Sequence, residues 1–477
     1  MNMETDQESK SFFDLPFQVR HRIYRHYVSV DGGYLYNADT NKLRTVDDEP
    51  IELSLAYTCR TVAFEMKSLP LETNTITFYP HYTKETLPFA YAQGIMLQRT
   101  HRLKCEMFQR AQRCFAEEVK TEFGKRYPQF MPIFDDFNSS LRLENVGHPP
   151  SEVYDAIDYA LKLASSHPNF KDDVDDLKYE YGYGQDGVIT ADDFDYNEVV
   201  EGLRVGLPQS VHVTKCGFSA AALAIGFLES ITVRSLRAIK KIVLEENHPA
   251  VALSASHAKG LIPFCRYNTD LRVERRVHLW HNIFLQGALP RNCLYTPICL
   301  IPRGPDALDA KLTEAMTRSV ALWTVEALSL IPAGMPAKSF SLVFHGDIEP
   351  EKCSEVFQNV IIRDATWQAA MEKNVEFGVL KPLEFFHRPC SSFPFDTFEG
   401  FPQALEDIAN KRNPIIRCDF DIGKYSASDA KDLADDRRKW TLDLWRLRWF
   451  DVGLVNWNDI PVLLRKIPLL RKLISRF

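Results

Sequence analysis

Residues 11–28 read SFFDLPFQVRHRIYRHYV, and the way this stretch folds decides the reading of the N-terminal region. Asp14 is placed to cap a helix, and Pro16 in the first turn lacks the amide that would have no partner there. Val19, Ile23 and Tyr27 recur at i, i+4 and i+8 and form one apolar stripe. Arg20, Arg22 and Arg25 fall away from it. A Leu-Pro pair at a helix start fixes the angle of an apolar ridge, a geometry suited to docking into a helical groove of another protein.

The segment that follows, VDGGYLYNADTNKLRTVDDEP at 30–50, carries Gly-Gly, Asn-Ala-Asp and Asp-Asp turn signals and reads as a loop or a weak hairpin. A second helix is expected over 53–69, LSLAYTCRTVAFEMKSL, because Leu55, Cys59, Val62, Met66 and Leu69 step by 4, 3, 4 and 3. Pro70 marks its end. NTITFYP at 74–80 alternates Ile76 and Phe78 with threonines, as a short half-buried strand does.

Beyond this unit the pattern is helical over 89–165, with a long proline-free stretch from Phe89 to Phe123 and a further helix through SEVYDAIDYALKLASS. From about residue 205, helical SAAALAIGFLESI and RSLRAIKK lead into apolar IVLEEN, and LTEAMTRSVALWTVEALSLI leads into SFSLVFHGD. Two helix-then-strand units point to a mixed α/β region. The expected class is therefore α+β, mainly helical. The expected division is a disordered tail at 1–11, a compact unit at 12–80, a helical region at 81–204 and a mixed α/β region at 205–477. The Phe- and Pro-rich FFHRPCSSFPFDTFEGFP at 385–402 reads as an irregular connection.

The totals exclude several classes. A chain of 477 residues with 45% hydrophobic and 25% charged residues is globular and too long for one ordinary core. A net charge of −7 argues against nucleic acid as the partner of the whole chain. Charge is uneven: residues 171–201 hold 11 Asp/Glu and 2 Lys, and residues 437–477 hold 10 Lys/Arg and 3 Asp. The first reads as a solvated loop or interdomain surface. The second ends in PVLLRKIPLLRKLISRF at 461–477 and reads as a terminal helix whose bases face water, with an anionic membrane or a partner groove as the alternative, preceded by Trp440, Trp445, Trp449 and Trp457. The polar N-terminus has no apolar core of a signal peptide, and no apolar run reaches the roughly 18 residues of a membrane helix. The ten cysteines include no C-x-x-C pair, the closest being Cys105/Cys114 and Cys293/Cys299, so they read as reduced thiols of a cytoplasmic or nuclear protein.

Catalytic and cofactor patterns fare poorly. GYGQDG (Gly182, Gly184, Gly187) matches G-x-G-x-x-G but sits among carboxylates that would repel a pyrophosphate. As a calcium loop it lacks side-chain oxygens at two early positions, and Asp193 stands where a bidentate Glu is needed. His278 and His281 in VHLWHN would share a helix face, with His248 and His257 upstream, but no third ligand stands at a metal-site spacing. A metal-dependent enzyme built on this pair is the least favoured reading; a histidine-bearing amphipathic segment is preferred. No G-x-S-x-G, P-loop or kinase signature occurs. The residues thus point to no cofactor, no metal and no catalysis.

The N-terminal set as a whole resembles a known family. FFDLPFQVRHRIYRHYV resembles the opening of the F-box. Together with LAYTCRTVAFEMKSLPLETNTITF it is similar to the F-box-like domain of uncharacterised filamentous-fungal proteins, over about the first 80 residues. The matching positions are Leu15, Pro16, Val19, Arg20, Ile23 and Tyr24, then Thr58, Cys59, Arg60, Val62 and Glu65, then Asn74, Thr75, Ile76 and Phe78. Gln18 stands where the family has Glu, Ile76 where it has Phe, and the loop from Ser29 to Glu52 is long for a compact F-box. The resemblance implies a non-catalytic substrate receptor of a cullin–RING ubiquitin ligase. Its helices at 15–28 and 53–69 would dock a Skp-type adaptor through Leu15, Pro16, Val19, Ile23 and Tyr27, and residues 205–477 would select a target. The alternative is a scaffold that keeps the fold without the adaptor.

Overall fold

The computed structural model describes residues 11–83, 85–136, 147–175, 177, 217–284, 305–346, 349–380 and 397–451. The glycine-rich GYGQDG stretch, Cys293/Cys299, most of the Phe- and Pro-rich connection and the basic 461–477 segment lie outside them.

The strand expected at 74–80 forms as β3 (Ile76–Phe78), but all three of its residues are buried. Its position explains this: β3 is an interior strand of a seven-stranded sheet, not the edge of a small unit. The segment 30–50 folds as a hairpin, β1 (Tyr34–Asn37) and β2 (Lys42–Thr45), and β1 pairs in parallel with β3. Gly33 makes that approach feasible. Its φ is +73°, and a Cβ there would stand 2.4 Å from the Thr75 carbonyl oxygen, which accepts from the Tyr34 amide. On its other side β3 pairs in parallel with β4 (Lys241–Glu246), followed by β5 (Arg272–His278), β6 (Phe340–His345) and β7 (Ile416–Cys418). The order is β2-β1-β3-β4-β5-β6-β7, parallel throughout except for the hairpin. The segment 12–80 thus adds three strands to the sheet of the mixed α/β region, and Ile76 and Phe78 to its core cluster.

The two faces of the sheet differ. Ile76, Phe78, Ile242, Leu244, Val273, Val277, Phe340, Leu342, Phe344 and Ile416 alternate onto one face and join the largest core cluster. The helices Ala220–Ser230, Pro305–Ser329 and Phe401–Ala409 contribute to the same cluster. The opposite face carries Thr77, Glu245, Glu274, Arg276, His278, His345 and Arg417. This polarity departs from the near-continuous apolar runs of parallel strands covered on both sides.

The helical region expected at 89–165 forms, with the Phe89–Phe123 stretch divided between α4 (Leu87–Arg110) and Glu117–Arg126 and the further helix at Pro150–Ala164, and these build a second cluster around Phe108, Phe123, Phe130 and Ile157. Buried Glu326 joins the two layers by accepting from the Ser151 amide at 2.9 Å and hydroxyl at 2.7 Å. Of the tryptophans near the C-terminus, the described ones pack inward. Trp445 and Trp449 are buried with Trp367, and the Trp449 indole donates to Asp364 at 3.0 Å. Among the described residues no helix is long and apolar enough to cross a membrane.

Candidate functional site

The first helix, α1 (Phe17–Val28), begins later than expected, with Pro16 at its cap and not in its first turn. Asp14 does not cap it. Its carboxylate accepts from the Ser11 amide and closes a capping box on the preceding single turn Phe12–Asp14. The buried side of α1 is also not the expected stripe. Tyr24 and Val28 are buried against Val62, Met66 and Leu69, with Arg20 beside them. Arg20 falls away from the stripe but is not in water. Instead its guanidinium forks onto Glu65 at 3.1 and 2.6 Å and donates to the Leu15 carbonyl at 2.5 Å. The hydrogen bond from Arg20 is the main reason the Glu65 carboxyl lies below its ordinary value.

The apolar stripe therefore faces out. Leu15, Val19 and Ile23 are 37%, 41% and 42% exposed, and Phe13 and Phe17 are exposed beside them. Pro16 is exposed as well. Tyr27, expected in the same set, is half-buried: its hydroxyl meets Glu52 and Ser54 at 3.1 and 3.0 Å and accepts from the Leu55 amide. The structure brings Leu15, Pro16, Val19 and Ile23 to one surface and leaves Tyr27 in the seam beside it.

The second helix also differs in detail. The chain runs as one 3-10 turn at Ser54–Tyr57, breaks at extended Cys59, resumes as α2 (Arg60–Met66), and turns again as α3 (Leu69–Thr73) with Pro70 near its start. Proline here opens a helix instead of ending one, because its missing amide costs nothing in the first turn. Two large apolar side chains on this segment, Tyr57 and Phe64, are 82% and 73% exposed. Sequence periodicity missed them because each lies off the apolar stripe. Buried Asn74 joins the pieces, donating to the carbonyls of Val28 and Pro70 and accepting from the Val30 amide.

The histidines take other roles. His278 ends β5, and the next turn, Leu279–Phe284, carries His281, so the pair does not share a regular helix face. His278 Nε2 lies 3.1 Å from Glu245, and its ring stands perpendicular to that of His345 at 4.6 Å. His345 in turn meets Asp419. The His281 ring faces that of His248. Arg276 bridges Glu245 and Glu274, and Arg417 also bonds Glu274. Burial pushes the Glu245 carboxyl up, but hydrogen bonds and charge from His278 and Arg276 leave it below its ordinary value. Among the described residues no group of three or more His, Cys, Asp or Glu side chains is placed to hold a metal ion.

One arrangement has the outline of a nucleophile and its base. Ser219 Oγ lies 2.7 Å from His257 Nδ1, and His257 Nε2 lies 2.7 Å from the Ala252 carbonyl oxygen. The surroundings argue for a structural role. Ser219 is fully buried and caps the helix Ala220–Ser230 by accepting from the Ala222 amide. The next amides, of Ala220 and Ala221, donate to buried Glu246, so these donors are already used where an oxyanion would need them. Glu246 also pairs with buried Arg275, which holds the carbonyls of Ser254 and Ala255. The network secures a loop in which Ala252 and Leu253 take left-handed φ of +64° and +54°.

No protein-family model, curated protein or solved structure matches this chain.

Proposed function

We propose that the chain is a non-catalytic protein-interaction subunit, a substrate receptor that docks a Skp-type adaptor of a cullin–RING ligase through Leu15, Pro16, Val19 and Ile23. The observation that carries this reading is the solvent-facing ridge of Leu15, Val19 and Ile23 on a helix whose other side is locked by Tyr24, Val28 and the Arg20–Glu65 pair. A helix that needs only one apolar side for its own packing has no folding reason to place isoleucine, valine and leucine on the other. A scaffold without an adaptor would fit better had that ridge been buried against residues 81–165. Catalysis plays no part: such a subunit raises the effective concentration of a target near the ligase. Its place of work would be cytoplasm or nucleus.

The test is co-purification of full-length chain with a Skp-type adaptor, wild type beside Leu15→Ala/Ile23→Ala. Loss of binding in the folded double variant supports docking by the ridge; equal binding by both removes it.

A further inference from the structure

The docking residues are not all held by one element. Val19 and Ile23 lie about one turn apart on α1, but Leu15 and Pro16 precede it. Leu15 is extended, with φ −70° and ψ 138°, just past the single turn Phe12–Asp14. Its carbonyl lies outside the helical bonding pattern. The Val19 amide would be its partner in a longer helix but donates to the Pro16 carbonyl instead.

Arg20 takes up that carbonyl. Its Nη1 donates to the Leu15 and Phe13 carbonyls at 2.5 and 3.3 Å, while Nε and Nη2 fork onto Glu65. The guanidinium carbon also lies 5.7 and 6.0 Å from the ring centroids of Phe13 and Phe17. Glu65 comes from α2, so a second element sets the plane of the guanidinium. Only arginine has donors arranged to grip a carboxylate through two nitrogens and two carbonyls through the third. A pair that served only to join α1 to α2 would need no contact with the segment before the helix.

We infer that Arg20 is a positioning residue for docking: oriented by Glu65, it fixes Leu15 in place before a partner arrives. The inference rests on the docking reading above and adds how that surface is preformed. A fixed Leu15 spares the complex the cost of ordering the Phe13–Pro16 segment on binding. Lysine keeps the charge and can still pair with Glu65, but one ammonium cannot reproduce both the fork and the two carbonyl bonds.

The experiment titrates full-length chain with a Skp-type adaptor by calorimetry, in wild type, in Leu15→Ala and Ile23→Ala, in Arg20→Lys, and in Arg20→Lys combined with each. Thermal melts and chymotrypsin cleavage after Phe12 and Phe13 are read beside it. Arg20→Lys should weaken adaptor binding about three- to tenfold at an unchanged melt. Leu15→Ala should then cost much less than it does in wild type, whereas Ile23→Ala costs the same in both. Cleavage after Phe13 should quicken about threefold or more, because the segment opens more often. Wild-type affinity in Arg20→Lys, or full additivity with Leu15→Ala, overturns the inference and leaves docking intact. A melt lowered along with the affinity assigns the pair to the fold and also overturns it. If wild type binds no adaptor, docking is lost and cleavage alone decides. Quicker cleavage in Arg20→Lys at an unchanged melt then supports positioning, and an equal rate overturns it.

Discussion

The inner and outer sides of the first helix use similar residues for opposite ends. Tyr24 and Val28 disappear into a small cluster with Val62, Met66 and Leu69, whereas Leu15, Val19 and Ile23 stay in water only a few residues away. What separates them is the partner each side meets. The inner side has a guanidinium–carboxylate fork and an aliphatic pocket; the outer side stays exposed among the described residues. Apolar periodicity alone cannot distinguish these cases, since an apolar stripe marks whatever surface is to be buried, within the chain or by another.

The strongest way to break this comparison is to remove what lies behind the inner side. A fragment ending near residue 85 lacks β4, so Ile76, Phe78 and Tyr34 lose their cover and β3 becomes an open edge. It should be recovered as aggregate, and a soluble, folded fragment by circular dichroism would show that residues 12–80 stand alone. Within the full chain, Phe78→Ala should cost about 3–5 kcal/mol in denaturant unfolding, since a fully buried ring leaves a cavity. Arg275→Ala strands Glu246 in the core and should cost about 3–5 kcal/mol. The outer side should respond differently: Val19→Ala and Ile23→Ala are expected to shift stability by no more than about 0.5 kcal/mol while weakening adaptor binding. The smallest effect is one of pH. The Glu65 carboxyl is held below its ordinary value mainly by its hydrogen bond from Arg20. An acid with a lowered folded value stabilises above its unfolded value and loses that contribution as pH falls through the folded one. Wild type should therefore lose stability below about pH 4.5 more steeply than Glu65→Gln, read as the midpoint of thermal melts across pH 3 to 6.

Much of this architecture was legible in the residues. The first helix, the hairpin at 30–50, the strand at 74–80 and the helix-then-strand order beyond 219 all follow from local period and turn chemistry. Three features escaped because they depend on partners distant in sequence. The interior position of β3 follows from pairing with β4 more than 160 residues later. The Arg20–Glu65 fork joins residues 45 apart, and local periodicity says only that Arg20 falls away from the apolar stripe. The signal for the β4–β5 ion pairs was present in matched doublets, Glu245-Glu246 in IVLEEN and Arg275-Arg276 in RVERRVH, which become visible once the two segments are laid side by side. Of the five residues named for adaptor docking, Leu15, Pro16, Val19 and Ile23 are exposed. Tyr27 is not, because its hydroxyl found nearer partners at Glu52 and Ser54.

The most direct measurement is a titration of full-length chain with a Skp-type adaptor by calorimetry, wild type beside Leu15→Ala/Ile23→Ala, with thermal melts of both. Saturable binding by wild type, lost or weakened at least tenfold in a variant with an unchanged melt, is the expected result. Absence of wild-type binding, under conditions where a reference F-box protein binds the same adaptor, would contradict it.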